Sequence, residues 1–195
     1  MSISAENVKQ LREQTGAGMM DAKQALIEAG GDINKALEVL RKRGQTIASK
    51  KSTRQVKEGY IGVYLHSNGK VGAMVELLCE TDFVARNEDF QNLAKELAMQ
   101  VAAMNPSYLS PEDVPEEIKV KEKEIYRAEM QNAGKPAEVL EKIVEGKLDK
   151  FYSQHCLLRQ NYIKDDNLTV EKLLTQNIAK IGENIKIGKF YRLSI

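Results

Sequence analysis

The sequence predicts an α+β fold: an N-terminal three-helix bundle, then an antiparallel-sheet core with packed helices and a projecting antiparallel helical hairpin. Three observations predict it. Apolar residues recur at helical spacing three times before Gly44, with glycines between the runs. The period then drops to two from Tyr60 to Glu80, with Asn68-Gly69 in the middle. Beyond Phe90 helical spacing returns, and two stretches of similar length, 112–131 and 137–152, are joined by a short turn.

Taken in order, residues 4–15 place Val8 and Leu11 on one helix face, and Gly16 and Gly18 disfavour its continuation. Residues 19–29 carry Met20, Ala25, Leu26 and Ala29, and Gly30-Gly31 supplies the positive φ of a helix exit. Asp32 is placed to cap a third helix with Ile33, Ala36, Leu37 and Leu40 on one stripe. Arg41, Lys42 and Arg43 complement the dipole of its last turn, and Gly44 is expected to close it. Residues 45–58 then read as a linker. The domains follow as a module over 1–50, a basic linker over 51–58 and a core over 59–195 that includes the hairpin 112–152.

Two strands are expected next, Tyr60–His66 and Val71–Glu80, joined by Ser67-Asn68-Gly69-Lys70 in a type I′ turn. Val71, Ala73, Val75, Leu77 and Cys79 alternate on the face expected to meet the core. A helix with Phe90, Leu93, Ala94, Leu97, Ala98 and Val101 runs from a cap at Asn87 to Asn105-Pro106. After the hairpin, whose turn is Ala133-Gly134-Lys135-Pro136, a strand at 156–163, a helix at 169–180 and a strand at 184–194 complete the chain.

Composition narrows the function. Lys+Arg 29 against Asp+Glu 28 leaves a net charge of +1, which argues against a dedicated nucleic-acid coat. A charged fraction of 29% and the lack of any apolar run near about 18 residues exclude a membrane-spanning helix. Cys79 and Cys156 have no paired spacing, and the N-terminus has no apolar h-region, so a reducing, cytoplasmic setting without a signal peptide is expected.

Catalytic patterns are missing: there is no phosphate-binding G-x-x-x-x-G-K-[ST], no G-x-S-x-G elbow and no H-E-x-x-H. Gly16-Ala17-Gly18 follows no strand and reads as a helix connection. His66 and His155 with Cys79 and Cys156 reach the count for zinc, but the adjacency of His155 and Cys156 aims them apart in a strand. No metal, cofactor or catalytic residue is expected. The stretch Arg41–Lys57 holds seven basic residues and no acid, so it is either a solvated helix end and linker or a phosphate-contacting surface.

Thr81–Asn87 stands apart, because Phe83 and Val84 are apolar residues in a strand-to-helix connection. Either both fold back under the following helix, or they form an exposed wedge beside Asp82 on a rigid scaffold. Met19 and Met20 raise the same choice; one is expected in the bundle core and the other as an adaptable surface contact.

Two long stretches carry a resemblance. Leu11-Arg12-Glu13-Gln14-Thr15-Gly16-Ala17-Gly18-Met19-Met20-Asp21-Ala22-Lys23-Gln24-Ala25-Leu26 resembles the N-terminal signature of the translation elongation factor Ts family. Glu76 through Arg86, centred on Thr81-Asp82-Phe83-Val84, resembles its second signature, and Lys180-Ile181-Gly182-Glu183-Asn184-Ile185 a further common stretch. The resemblance implies a UBA-like module, a linker, an α+β core and a coiled-coil-like hairpin. It implies guanine-nucleotide exchange on the GTPase EF-Tu by binding, without covalent chemistry. Leu11, Met19 and Met20 would be the apolar contacts of the module. Thr81, Asp82, Phe83 and Val84 would reach the magnesium side of the nucleotide site, with Phe83 as wedge and Asp82 as polar companion.

Two departures from the family pattern stand out. Position 78 is Leu where the family has Asn, and the chain is a short form with one core half where long members carry two. A second copy would supply the missing contacts, which predicts a homodimer through the core sheet and a two-plus-two complex with EF-Tu. Direct nucleic-acid and membrane binding are not expected. The other readings are an RNA- or ribosome-binding module using Arg41–Lys57 and a ubiquitin-type adaptor built on residues 1–54.

Overall fold

The structure, a computed structural model, describes residues 3–130 and 136–195. Among these residues the chain is α+β, with helices α1 (Ala5–Thr15), α2 (Met19–Glu28), α3 (Ile33–Lys51), α4 (Asp82–Ala85), α5 (Glu88–Met104), α6 (Glu116–Met130), α7 (Ala137–His155) and α8 (Val170–Ile181). The strands are β1 (Glu58–Leu65), β2 (Val71–Cys79), β3 (Asn161–Tyr162), β4 (Asp165–Thr169) and β5 (Lys186–Ser194). β2 lies between β1 and β5 in one sheet, and β3 pairs antiparallel with β4 in a second. The chain divides into two compact units, Met1–Ile61 with Glu76–Leu93 and Lys172–Gly188, and Gly62–Val75 with Ala94–Glu171 and Lys189–Ile195.

The first unit begins with the helical bundle. Ser4 caps α1 by accepting from the Asn7 N–H, and Gly16 ends it at φ 66°. Gly30 and Gly31 both take positive φ, and the Gly31 N–H reaches back to the Leu26 carbonyl, the crossing bond of a Schellman exit. Asp32 accepts from Asn34 and Lys35 to start α3. Leu11, Ala22, Ala25, Leu26 and Ala36 form the buried centre, flanked by Val8, Ile33, Leu37 and Leu40.

Gly44 does not close α3. The helix runs seven residues further, to Lys51, so the first half of the expected linker at 45–58 is helical. Gly44 has no positive φ and is buried; a Cβ there would rest 3.5 Å from that of Ala179 in α8. A glycine ends a helix only where it turns left-handed, and here it serves close packing instead. The carbonyls beyond the helix end, of Ser52 and Arg54, accept from the Asn184 side chain.

In the second unit the β1–β2 connection is a four-residue loop. Only Gly69 takes positive φ, and its N–H donates to the His66 carbonyl, so the expected type I′ geometry at Asn68-Gly69 is not adopted. Longer hairpin loops are built around an ordinary type I turn, which Asn68 enters with negative φ. His66 pairs with Val71 and Ile195 with Lys70, which puts Val63, Met74 and Tyr191 in one row and Leu65, Gly72 and Leu193 in the next. The inner face carries Ala73 and Val75, buried as the alternation predicts, and Ala94, Leu97, Ala98 and Val101 of α5 are buried as well. The outer face leaves Val63, Leu65, Met74, Tyr191 and Leu193 exposed.

The stretch expected as a helix from residue 112 begins as a short 3-10 turn at Pro111–Asp113, and α6 starts after Pro115, which has no N–H to give. Arg127 of α6 donates to both oxygens of Glu141 of α7 at 2.9 and 3.0 Å, and Lys147 pairs with Glu129. The expected turn at Ala133–Pro136 lies, through Lys135, outside the described residues. At 156–163 the expected strand is interrupted: a 3-10 turn, Leu157–Arg159, comes first and only the two residues of β3 are extended strand. β4 was not expected.

Candidate functional site

Strand β2 ends at Cys79, and Thr81 turns the chain into the single turn of α4 with extended backbone, φ −128° and ψ 155°. Its hydroxyl oxygen accepts from the Val84 N–H at 3.4 Å, satisfying one of the orphan donors at a helix start. Asp82 occupies the first turn, where negative charge is favoured, and pairs with Arg86 at 3.2 Å. Arg86 is exposed and Asp82 half-exposed, so the pair adds little stability. Ala85 is buried and Val84 half-buried, which anchors the turn.

Phe83 points outward. It is 83% exposed, so of the two sequence readings the fold-back under the next helix is not adopted. A phenyl ring in water forgoes roughly 1.5–3 kcal/mol that burial would return, and a single turn offers nothing to cover it. Asn87 then caps α5 through the Asp89 N–H at 2.8 Å.

Glu183, to which the sequence assigned no role, holds this segment from behind. One carboxylate oxygen accepts from the backbone N–H groups of Glu80 and Thr81 at 3.0 and 3.1 Å, and the other from the Thr81 hydroxyl at 2.7 Å. The signal was present as an acid directly after Gly182, a helix-exit glycine with φ 84°. Nothing local tells which distant amides such an acid will meet.

In the bundle, Met19 and Met20 open α2 and are 61% and 72% exposed. The expectation that one fills the core is therefore overturned; Ala22, Ala25 and Leu26 take the inward positions one turn later. Leu11, expected among the surface contacts, has no exposed surface and sits at the bundle centre. The turn leading to Met19 lies beside Lys180 of α8: a Cβ on Gly16 would stand 3.2 Å from the Lys180 side chain, whose Nζ pairs with Asp89 at 2.7 Å. Met19, Met20 and Phe83 thus belong to one compact unit.

The remaining candidates are inert by position. Cys79 and Cys156 are buried free thiols, each pushed up to about 11, chiefly by burial. Among the described residues no group of three or more His, Cys, Asp or Glu could hold a metal ion, and no helix is long and apolar enough to cross a membrane. Within Arg41–Lys57, Arg43 pairs with Glu28, Arg54 with Glu80, and Lys51 donates to the Gly182 carbonyl.

Residues 2–177 match the family model described as Elongation factor TS. The chain is 54% identical over 195 residues to the Elongation factor Ts of Fervidobacterium nodosum, covering 100% of this chain and 99% of that one. It is 57% identical over 190 residues to the Elongation factor Ts of Caldanaerobacter subterraneus subsp. tengcongensis, covering 97% and 95%. To that of Pseudothermotoga lettingae it is 56% identical over 195 residues, covering 100% and 98%.

Proposed function

The chain belongs to the elongation factor Ts family, and on that premise we propose that it is the guanine-nucleotide exchange factor for the translational GTPase EF-Tu. It binds the GDP form, dislodges Mg²⁺ and speeds release of GDP so that GTP can enter. The single observation that carries this reading is Phe83, an 83% exposed ring on a capped turn within the family's second signature.

The mechanism is linkage. A GTPase holds GDP partly through Mg²⁺ bridging phosphate and protein oxygens. A partner that prefers the nucleotide-free form weakens GDP by the factor by which GDP weakens the partner. Each tenfold gain in release needs about 1.4 kcal/mol. Burying one phenyl ring in a cleft supplies roughly 1.5–3 kcal/mol, enough for one or two decades. Phe83 is the wedge, Asp82 its polar companion, Thr81 the cap that starts the turn and Val84 its apolar footing. Met19 and Met20 are the contacts of the N-terminal module, which we read as UBA-like; Leu11 supports them from inside.

The finer organisation completes the proposal. α6 and α7 form a projecting helical hairpin. The exposed row of Val63, Met74 and Tyr191 with Leu65 and Leu193 seats a second copy of the chain, giving a two-plus-two complex. The factor acts in the cytoplasm, needs no cofactor and performs no covalent chemistry.

The test is stopped-flow release of fluorescent GDP from EF-Tu, chased with excess GTP. Release should rise with the concentration of this protein. The chain has no Trp, so tryptophan emission of the GTPase gives an independent signal. A folded sample that leaves release unaccelerated overturns the reading.

A further inference from the structure

The corner after α8 gathers two segments that are remote in sequence. Gly182 closes the helix, its N–H donating to the Ile178 carbonyl at 2.9 Å. Glu183 takes the Glu80 and Thr81 amides and the Thr81 hydroxyl, over sequence separations of 103 and 102. The buried Asn184 gives its backbone N–H to the Glu80 carboxylate at 2.6 Å and its side-chain N–H groups to the Ser52 and Arg54 carbonyls at 3.4 and 2.8 Å. Arg54 meets Glu80 at 3.5 Å.

This network fixes the orientation of the Thr81 hydroxyl. Its proton is committed to Glu183, so a lone pair faces the Val84 N–H, the role an N-cap must play. The turn needs that help. α4 has four residues, well below the length at which a helix persists alone, and Phe83 has almost no contact surface of its own to hold it. A binding group ordered before encounter avoids the conformational entropy cost of ordering it on contact. Hydrogen bonds to a carboxylate are short and strong enough to impose that order.

We propose that Glu183 is a positioning residue for nucleotide exchange, acting through Thr81 to hold the 81–85 turn so that Phe83 is presented in its working orientation. The inference rests on the wedge reading above. It assigns to Glu183 an effect on exchange that vanishes when the ring it presents is removed, which a merely structural carboxylate would not show.

The experiment is a double-mutant cycle in full-length protein, read by the limiting rate of fluorescent GDP release from EF-Tu at saturating factor. Glu183→Ala should slow the limiting rate by about tenfold, one charge-assisted hydrogen-bond set expressed as a rate. In the Phe83→Ala background the same change should cost less than about twofold, because coupled residues are non-additive. Glu183→Gln should slow the rate less than Glu183→Ala does: its amide oxygen can keep both backbone N–H groups, while its NH2 cannot accept the Thr81 proton. Amide hydrogen exchange at Glu80 and Thr81 should quicken in Glu183→Ala and stay slow in Glu183→Gln. Where Glu183→Ala does not fold, Thr81→Val, which removes the linking hydroxyl, carries the same cycle. An unchanged limiting rate in a folded Glu183→Ala overturns the proposal, and so does a slowing of equal size with and without Phe83. If Phe83→Ala alone leaves exchange unchanged, the wedge reading fails and takes this proposal with it; a normal Phe83 effect beside a silent Glu183 sinks only the proposal.

Discussion

Gly62 of β1 lies against the backbone of Ala94 in α5: a Cβ at position 62 would stand 2.1 Å from the Ala94 carbonyl oxygen and 2.3 Å from its carbon. Those atoms are backbone and cannot rotate away, so the helix must lift or the strand must bend. Gly62→Ala should therefore destabilise by about 1–3 kcal/mol or more, as overpacking does, lowering Tm by about 2–4 °C per kcal/mol in a chain of this size. Gly146→Ala is the matched control. It lies within α7 with nothing within 4 Å of its Cβ position and should stabilise slightly, through the lower entropy of the unfolded chain. Urea midpoints that move the same way for both substitutions would contradict the packing argument.

Phe83→Ala should slow exchange by about tenfold or more, the equivalent of at least 1.4 kcal/mol of lost barrier reduction. Because the ring is 83% exposed, its removal should leave Tm unchanged. Both readings come from one preparation, by melting and by stopped flow. Normal exchange in the folded variant would contradict the wedge role.

How far the sequence reveals this arrangement depends on the range of the deciding contact. The α5 stripe of Phe90, Leu93, Ala94, Leu97, Ala98 and Val101 is legible because one face of one helix is buried, and each of these residues is buried. Gly44 misleads because a glycine signals a helix end only through positive φ, and the true end is met by Asn184, over 130 residues away. Leu11 shared a stripe with Val8 and could have been read as core on that pattern alone. The exposure of Phe83 was undecidable locally, since an apolar residue in a turn is equally compatible with burial beneath the next helix. Glu183 was invisible as a tether because its partners are fixed by the tertiary fold.

Leu11 and the two methionines should separate in their effects. Leu11→Ala removes fully buried volume and should destabilise the bundle by about 2–5 kcal/mol. Met19→Ala with Met20→Ala removes exposed side chains at the start of α2 and should leave stability within about 0.5 kcal/mol. The methionine pair should nevertheless raise the factor concentration needed for half-maximal exchange. Circular dichroism melts and an exchange titration check both, and a stable Leu11→Ala variant would refute the core placement.

The cysteines set a pH window. Burial, and for Cys79 the charge of Glu183 next, raises both thiols from an ordinary 9.0 to about 11. Below pH 9 folded and unfolded chains both keep the protons, and the thiols leave stability unchanged. Between about 9 and 11 the unfolded chain releases protons that the folded chain retains, so stability falls as pH rises. The urea midpoint should decline across that window by an amount that shrinks in Cys79→Ala/Cys156→Ala. At pH 8 the native thiols should react with a disulfide reagent far more slowly than in urea, because the thiolate is the nucleophile. Equal rates in folded and unfolded samples would contradict their burial.

The sheet face in the second unit supports a prediction about assembly. Val63, Met74 and Tyr191 lie in one row, and Leu193, 80% exposed, lies in the next beside Gly72. Exposed apolar residues scattered singly need no explanation, but side chains aligned across three strands form a contiguous patch of the kind that marks an interface. A two-fold interface is self-complementary, so each residue of the patch occurs twice in it and each introduced charge is doubled. Met74→Glu with Leu193→Glu would place four carboxylates in a surface meant to exclude water, and no cation in either row could compensate them. Sedimentation should therefore show a dimer for the unchanged protein at working concentration and a monomer for the double variant. Both substituted positions are exposed, so the variant's fold should persist and its melting serve as a control. If the second copy completes the contacts with EF-Tu, the monomeric variant should also lose exchange activity. An unchanged protein that sediments strictly as a monomer while fully active would sink the homodimer.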